Sequence, residues 1–100
     1  MALMMSRKKS AGGLTEVTTQ DVPNNGTLTI TANVGDTVIV SGTSIADTST
    51  TTVAFGTVTG GTVVDKMEQT VISGIIITAT ASIITIPITG GNYNRFIICK

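Results

Sequence analysis

Between Thr27 and Val34 polar and apolar side chains alternate without a break, with Leu28, Ile30, Ala32 and Val34 pointing one way and Thr27, Thr29, Thr31 and Asn33 the other. A period of two is the signature of a strand with one face buried and one in water. No stretch shows a competing helical period. Threonine, isoleucine and valine fill 43 of the 100 positions, and their β-branched side chains have few rotamers to lose on a pleated surface. The chain is therefore expected to be all-β.

Turn signals divide it into strands predicted over 14–22, 27–34, 37–41, 51–58, 62–68, 70–79, 82–89 and 93–99. Their regular spacing predicts an antiparallel β-sandwich or barrel of about eight short strands. Three glycine-containing turns suggest hairpins. Gly60-Gly61 suits a two-residue loop setting Val58 opposite Val63 and Thr59 opposite Thr62, and Gly90-Gly91 a similar loop setting Ile88 against Tyr93. At Asn24-Asn25-Gly26 a three-residue loop with Gly26 in the left-handed region keeps parity, placing Leu28 opposite Val22. Pro87 cannot donate to a ladder and is expected at an edge or a bulge. Thr-x-Thr recurs at Thr27/Thr29/Thr31, Thr57/Thr59 and Thr78/Thr80, but at intervals too irregular for a solenoid. Threonine is read as the solvent-facing residue of an ordinary sheet.

Charge separates two segments. Residues 1–13 hold Arg7, Lys8 and Lys9 and no acid, whereas residues 14–100 hold three cations against six acids. The first segment is read as a flexible N-terminal arm, with Leu3, Met4 and Met5 as an apolar tip and Gly12-Gly13 as a swivel; residues 14–100 form the sandwich domain. No charge occurs from Gln69 to Asn94, yet scattered threonines and serines and Pro87 make two consecutive core strands a better reading than a membrane helix. Eight isoleucines in that stretch exceed what one sheet face can bury, and mean hydropathy is +0.42. Self-association, as a trimer, is the expected outlet. The lone Cys99 excludes an intrachain disulfide, and the order of apolar and basic residues at the N-terminus is the reverse of a signal peptide. Synthesis in a cytosol is expected.

Chemistry has little to work with. Histidine and tryptophan are absent, so Cys99 has no imidazole to activate it and reads as a small hydrophobe of the last strand. One cysteine and no histidine leave no structural zinc site. Asp36 and Asp47 suit turns better than calcium. Asp65 and Glu68, on a strand, point to opposite faces and make a surface charge cluster with Lys66, not a glycosidase pair. Neither a catalytic residue nor a cofactor is expected. Three cations without aromatic partners make nucleic acid an unlikely ligand.

A short all-β domain with Thr-rich strands, a swivelling basic and apolar arm and no catalytic groups resembles the small structural proteins of tailed-bacteriophage virions, of head-decoration or fibre type. The resemblance covers the whole chain in overall character. It implies a non-enzymatic virion protein, made in the host cytoplasm, that forms a symmetric homo-oligomer and docks through Leu3, Met4, Met5, Arg7, Lys8 and Lys9 onto a capsid or other virion protein. The alternative is an adhesion or carbohydrate-binding sandwich reading its ligand with Asn33, Asn92, Tyr93 and Asn94, although one tyrosine is a small platform for a sugar.

Overall fold

The structure, a computed structural model, describes residues 16–45, 52–69 and 72–100. They form eight strands: β1 Val17–Pro23, β2 Thr27–Thr31, β3 Thr37–Ser44, β4 Ala54–Phe55, β5 Gly61–Glu68, β6 Ile72–Ala79, β7 Ile83–Thr89 and β8 Tyr93–Cys99. All pairings are antiparallel, in a five-stranded sheet ordered β1-β8-β3-β6-β5 and a three-stranded sheet ordered β2-β7-β4. No helix of the described residues is long and apolar enough to cross a membrane; the charge-free stretch supplies β6 and β7.

Three of the six ladders share one centre. Val17 pairs with Cys99, Thr27 with Pro87 and Thr37 with Thr78, so the midpoint of each pair falls at residue 57 or 58. The chain is one long antiparallel ribbon doubled about that point and then rolled, which sends successive strands to alternate sheets. Strands 1, 8, 3 and 6 in one sheet and 2, 7 and 4 in the other give the winding of a jelly roll. β5 departs from it by pairing with β6 in the larger sheet instead of β4 in the smaller.

This winding overturns the three predicted hairpins. Thr59 bridges Thr85 and Thr62 pairs with Thr78; Ile88 pairs with Phe55 and Tyr93 with Pro23; Leu28 pairs with Ile86 and Val22 with Asn94. Each turn carries the chain from one sheet to the other. The backbone need was still read correctly at Gly60, Gly90 and Gly91, which have φ of 82°, 85° and 60°, while in the first turn it is Asn25, at φ 69°, that takes the left-handed conformation. A side chain at Gly60 would also run into the carbonyl of Ile83. Val34 falls in the β2–β3 turn and is exposed, so the alternation there ends two residues early.

Alternation along β2, β3, β6, β7 and β8 fills the space between the sheets. Leu28, Ile84, Ile86 and Ile88 from the smaller sheet meet Val38, Val40, Ile75, Ile77, Phe96 and Ile98 from the larger, all essentially inaccessible. The rings of Phe55 and Phe96 lie tilted with centroids 6.0 Å apart. Phe96 pairs across the ladder with Gly42, and its ring occupies the space a β-carbon there would take. Pro87 sits beside a bulge, as its missing N–H requires: Phe55 pairs with Ile88 but Thr59 with Thr85, so one extra residue lies opposite it.

Candidate interaction surface

The two sides where the sandwich could gape are stitched by polar side chains. Gln20 Nε2 of β1 donates to the Thr29 carbonyl at 2.5 Å, and Lys100 Nζ donates to that of Thr31. On the other side the Glu68 carboxylate accepts from the Phe55 N–H at 2.7 Å and Ser73 Oγ donates to the Val53 carbonyl at 2.6 Å. The carbonyls of Thr29, Thr31 and Val53 and the N–H of Phe55, at the edges of the smaller sheet, are thus engaged within the molecule. β5, the outer edge of the larger sheet, is blunted in another way. Its ladder shifts register between Val63 and Asp65, and Asp65 Oδ1 accepts from the Lys66 N–H at 2.9 Å. Lys66 and Glu68 lie 3.9 Å apart on the opposite side of the strand from Asp65, as the strand period requires.

The outward faces of the two sheets differ from each other. That of the smaller sheet carries Thr27, Thr29 and Thr31 on β2 and Thr85, Pro87 and Thr89 on β7, with the Thr59 and Thr85 hydroxyls hydrogen-bonded to each other. Ile83 is its exposed exception. The Thr-x-Thr repeat of β2 is therefore the wet side of an ordinary sheet.

The larger sheet is different, as its register shows row by row. One row crosses all five strands as Val17, Cys99, Ile39, Ile76 and Asp65. The next reads Thr19, Ile97, Ser41, Gly74 and Met67. Exposure is 66% for Val17, 47% for Ile97 and 53% for Met67; Ile39, Ile76 and Cys99 are half-buried by their neighbours. Because Gly74 has no side chain, a groove of about 250 Å³ opens over it, walled by Ile39, Ser41, Met67 and Ile76, with Asp65 and Lys66 at its rim. A third row opens with Asp21 and Arg95, which form a two-toothed ion pair at 2.7 and 2.9 Å. Arg95 holds the Asp21 carboxyl below its ordinary range through this hydrogen bond, outweighing desolvation, and Asp21 in turn raises the guanidinium. The pair is internally neutral, so the middle of the face presents no uncompensated charge.

The residues predicted to dock a partner, Leu3, Met4, Met5, Arg7, Lys8 and Lys9, lie outside the described residues. The described chain begins at Glu16, next to Val17 at the end of the apolar row, and Glu16 and Lys100 exchange two backbone hydrogen bonds at 3.0 Å. The four residues considered for sugar binding are not brought together. Asn33 lies in the β2–β3 turn, where its N–H donates to Asp36 Oδ2, at the opposite end of the sandwich from Asn92 and Tyr93. Asn94 points into the core with its amide donating to the Gly90 carbonyl at 3.0 Å, and its Oδ1 is buried without a partner beside Gly91. Asp36 does the turn work predicted for it; Asp47 is outside the described residues. Among the described residues no three histidine, cysteine or carboxylate side chains gather at one place.

The signal for the apolar face was present in the sequence. Val38-Ile39-Val40, Ile75-Ile76-Ile77 and Ile97-Ile98 are apolar at consecutive positions, which a strand with one wet face does not need. They lie on the three central strands of the larger sheet. No protein-family model matches the chain, and no curated protein and no solved structure matches it.

Proposed function

We propose that the chain is a non-enzymatic structural subunit of a tailed-bacteriophage virion, of the capsid-decoration or fibre type, which self-associates and is held to a capsid or other virion protein by residues 1–13. The observation that carries this reading is the outward face of the larger sheet. A sheet surface with apolar residues in successive rows, whose Asp21–Arg95 ion pair is satisfied within the molecule, suits packing against protein and offers little to a small polar ligand. The jelly-roll winding adds support, since capsid proteins are among its frequent uses, although a fold alone assigns no function. Glu16, where the described residues begin, adjoins Val17 on the edge strand β1 of this face.

Mass spectrometry of purified virus particles from the source is the direct test, with the polypeptide expected at many copies per particle. In cosedimentation with particles lacking it, the full chain is expected to bind and a chain without residues 1–13 to stay in the supernatant. Absence from virions overturns the virion reading; equal binding by both forms overturns the docking role of Leu3, Met4, Met5, Arg7, Lys8 and Lys9.

A further inference from the structure

We infer that the outward face of the larger sheet binds the same face of a second copy, about a two-fold axis running along β3, with Ile97 of each copy seated in the groove over Gly74 of the other. The inference stands on the geometry of the face and is independent of the virion role.

β3 is the middle strand of five, flanked by β8 on one side and β6 on the other. Ile97 on β8 and Gly74 on β6 lie in one row, each next to Ser41 of β3. Rotation by half a turn about β3 exchanges the two sides of the sheet and keeps every row in place. It therefore lays the half-exposed Ile97 of one copy over the empty position at Gly74 of the other, and the reverse contact follows by symmetry. In the neighbouring row the same rotation sets Ile39 against Ile39 and Cys99 against Ile76. Asp65 goes to the lateral margin, opposite Val17, and in the third row Arg95, its charge already taken by Asp21, lies over Ile72. A knob and a groove placed symmetrically about the central strand fit this chain to itself.

Size agrees. Five strands about 4.8 Å apart and seven residues of about 3.3 Å give a face on the order of 500 Å². Two such faces remove on the order of 1,000 Å² from water, at the lower bound for specific association. A reversible, concentration-dependent dimer is expected in place of the trimer anticipated from composition.

Sedimentation velocity on the full chain across micromolar concentrations, with circular dichroism as a check on folding, tests the pairing. Ile97→Lys places a charge on the knob, and Gly74→Leu fills the groove at a position where an added β-carbon meets nothing closer than the Val40 carbonyl at 3.6 Å. Each is expected to weaken association roughly thirtyfold or more, as loss of a central anchor does, whereas Thr29→Lys on the other face leaves it unchanged. With Cys99 replaced by serine, Ser41→Cys near the axis is expected to cross-link to itself through a short bismaleimide, and Thr29→Cys is not. The cross-link needs neither disruptive variant to fold. A monomer at all concentrations, a trimer, or a dimer indifferent to both groove and knob overturns the inference. So does a full-length monomer that begins to dimerise when residues 1–13 are removed, because that result makes the chain's own N-terminal segment the occupant of the face.

Discussion

The two outward faces of this sandwich use the same kind of side chain to opposite effect. On the smaller sheet the exposed rows are mostly threonine; on the larger sheet valine and isoleucine at Val17, Ile39, Ile76 and Ile97 stand in rows shared with Thr19, Ser41, Gly74, Cys99, Met67 and Asp65. Threonine and valine have nearly the same shape, and all three residues favour strands for the same reason of restricted χ1. Exchanging a methyl for a hydroxyl therefore changes what a face does to water while leaving its fitness as a strand intact. Strand formation and surface character are set separately here.

That comparison holds only if both outward faces are dispensable to the fold while the inside is not, and one substitution made in several places tests it. Ile84→Thr, on the inward side of β7 where the residue is fully buried, is expected to lower stability by about 2–4 kcal/mol in urea unfolding, from lost apolar volume and a hydroxyl without a partner. Gly42→Ala follows at about 2–3 kcal/mol, because the Phe96 ring must move to admit the methyl group. Ile76→Thr on the outward side of β6 is expected to cost under about 1 kcal/mol for an isolated subunit, and Ile83→Thr, on the threonine face, almost nothing. If Ile76→Thr unfolds the monomer as severely as Ile84→Thr does, the larger sheet's outward face is a structural necessity and the contrast between the faces fails.

The smallest effect comes from Asp21 and Arg95. Since the folded carboxyl titrates below its unfolded value, the pair's contribution is present above about pH 4 and is lost as pH falls through the lowered folded value. The stability difference between the wild-type chain and Asp21→Asn should thus be small near pH 6 and disappear at strongly acidic pH. Salt should shrink it at pH 6, as for any exposed pair. A difference that persists in acid assigns the role of Asp21 to something other than its charge.

Strand number and most strand positions were legible because alternation and β-branching are local properties. Strands predicted at 62–68, 82–89 and 93–99 differ from β5, β7 and β8 by one residue or none at either end. The partners were not legible. A glycine turn states that the chain reverses; it does not state whether the next strand lies beside the last or across the core from it. At Gly60, Gly90 and Asn25 the conformational requirement is the same in both cases, and the choice is made by strands far away in sequence. The predicted span 51–58 shrank to β4 Ala54–Phe55 for a related reason, since Gly56 and the bulge opposite Pro87 interrupt pairing that composition alone would extend. Of the proposed surfaces, the N-terminal arm rests on charge, an apolar tip and Gly12-Gly13 and lies outside the described residues, whereas the apolar face needed the register that places Ile39, Ile76 and Ile97 in adjacent rows.

The doubling of the chain about residues 57 and 58 also sets an order in time. Closing a ladder between distant segments is slow unless the intervening loop has already been shortened, so pairing should zip outward from β3 with β6, through β2 with β7, to β1 with β8. β1 stands first in the chain and yet waits for residues 93–99, and β3 lacks its second neighbour until the same residues arrive. During synthesis the first five strands are therefore made without the partners they need, and the larger sheet closes only after residue 99 has left the ribosome. Until that moment the side of β3 that pairs with β8 stays open, which makes the interval between synthesis and closure the period when aggregation competes most strongly with folding.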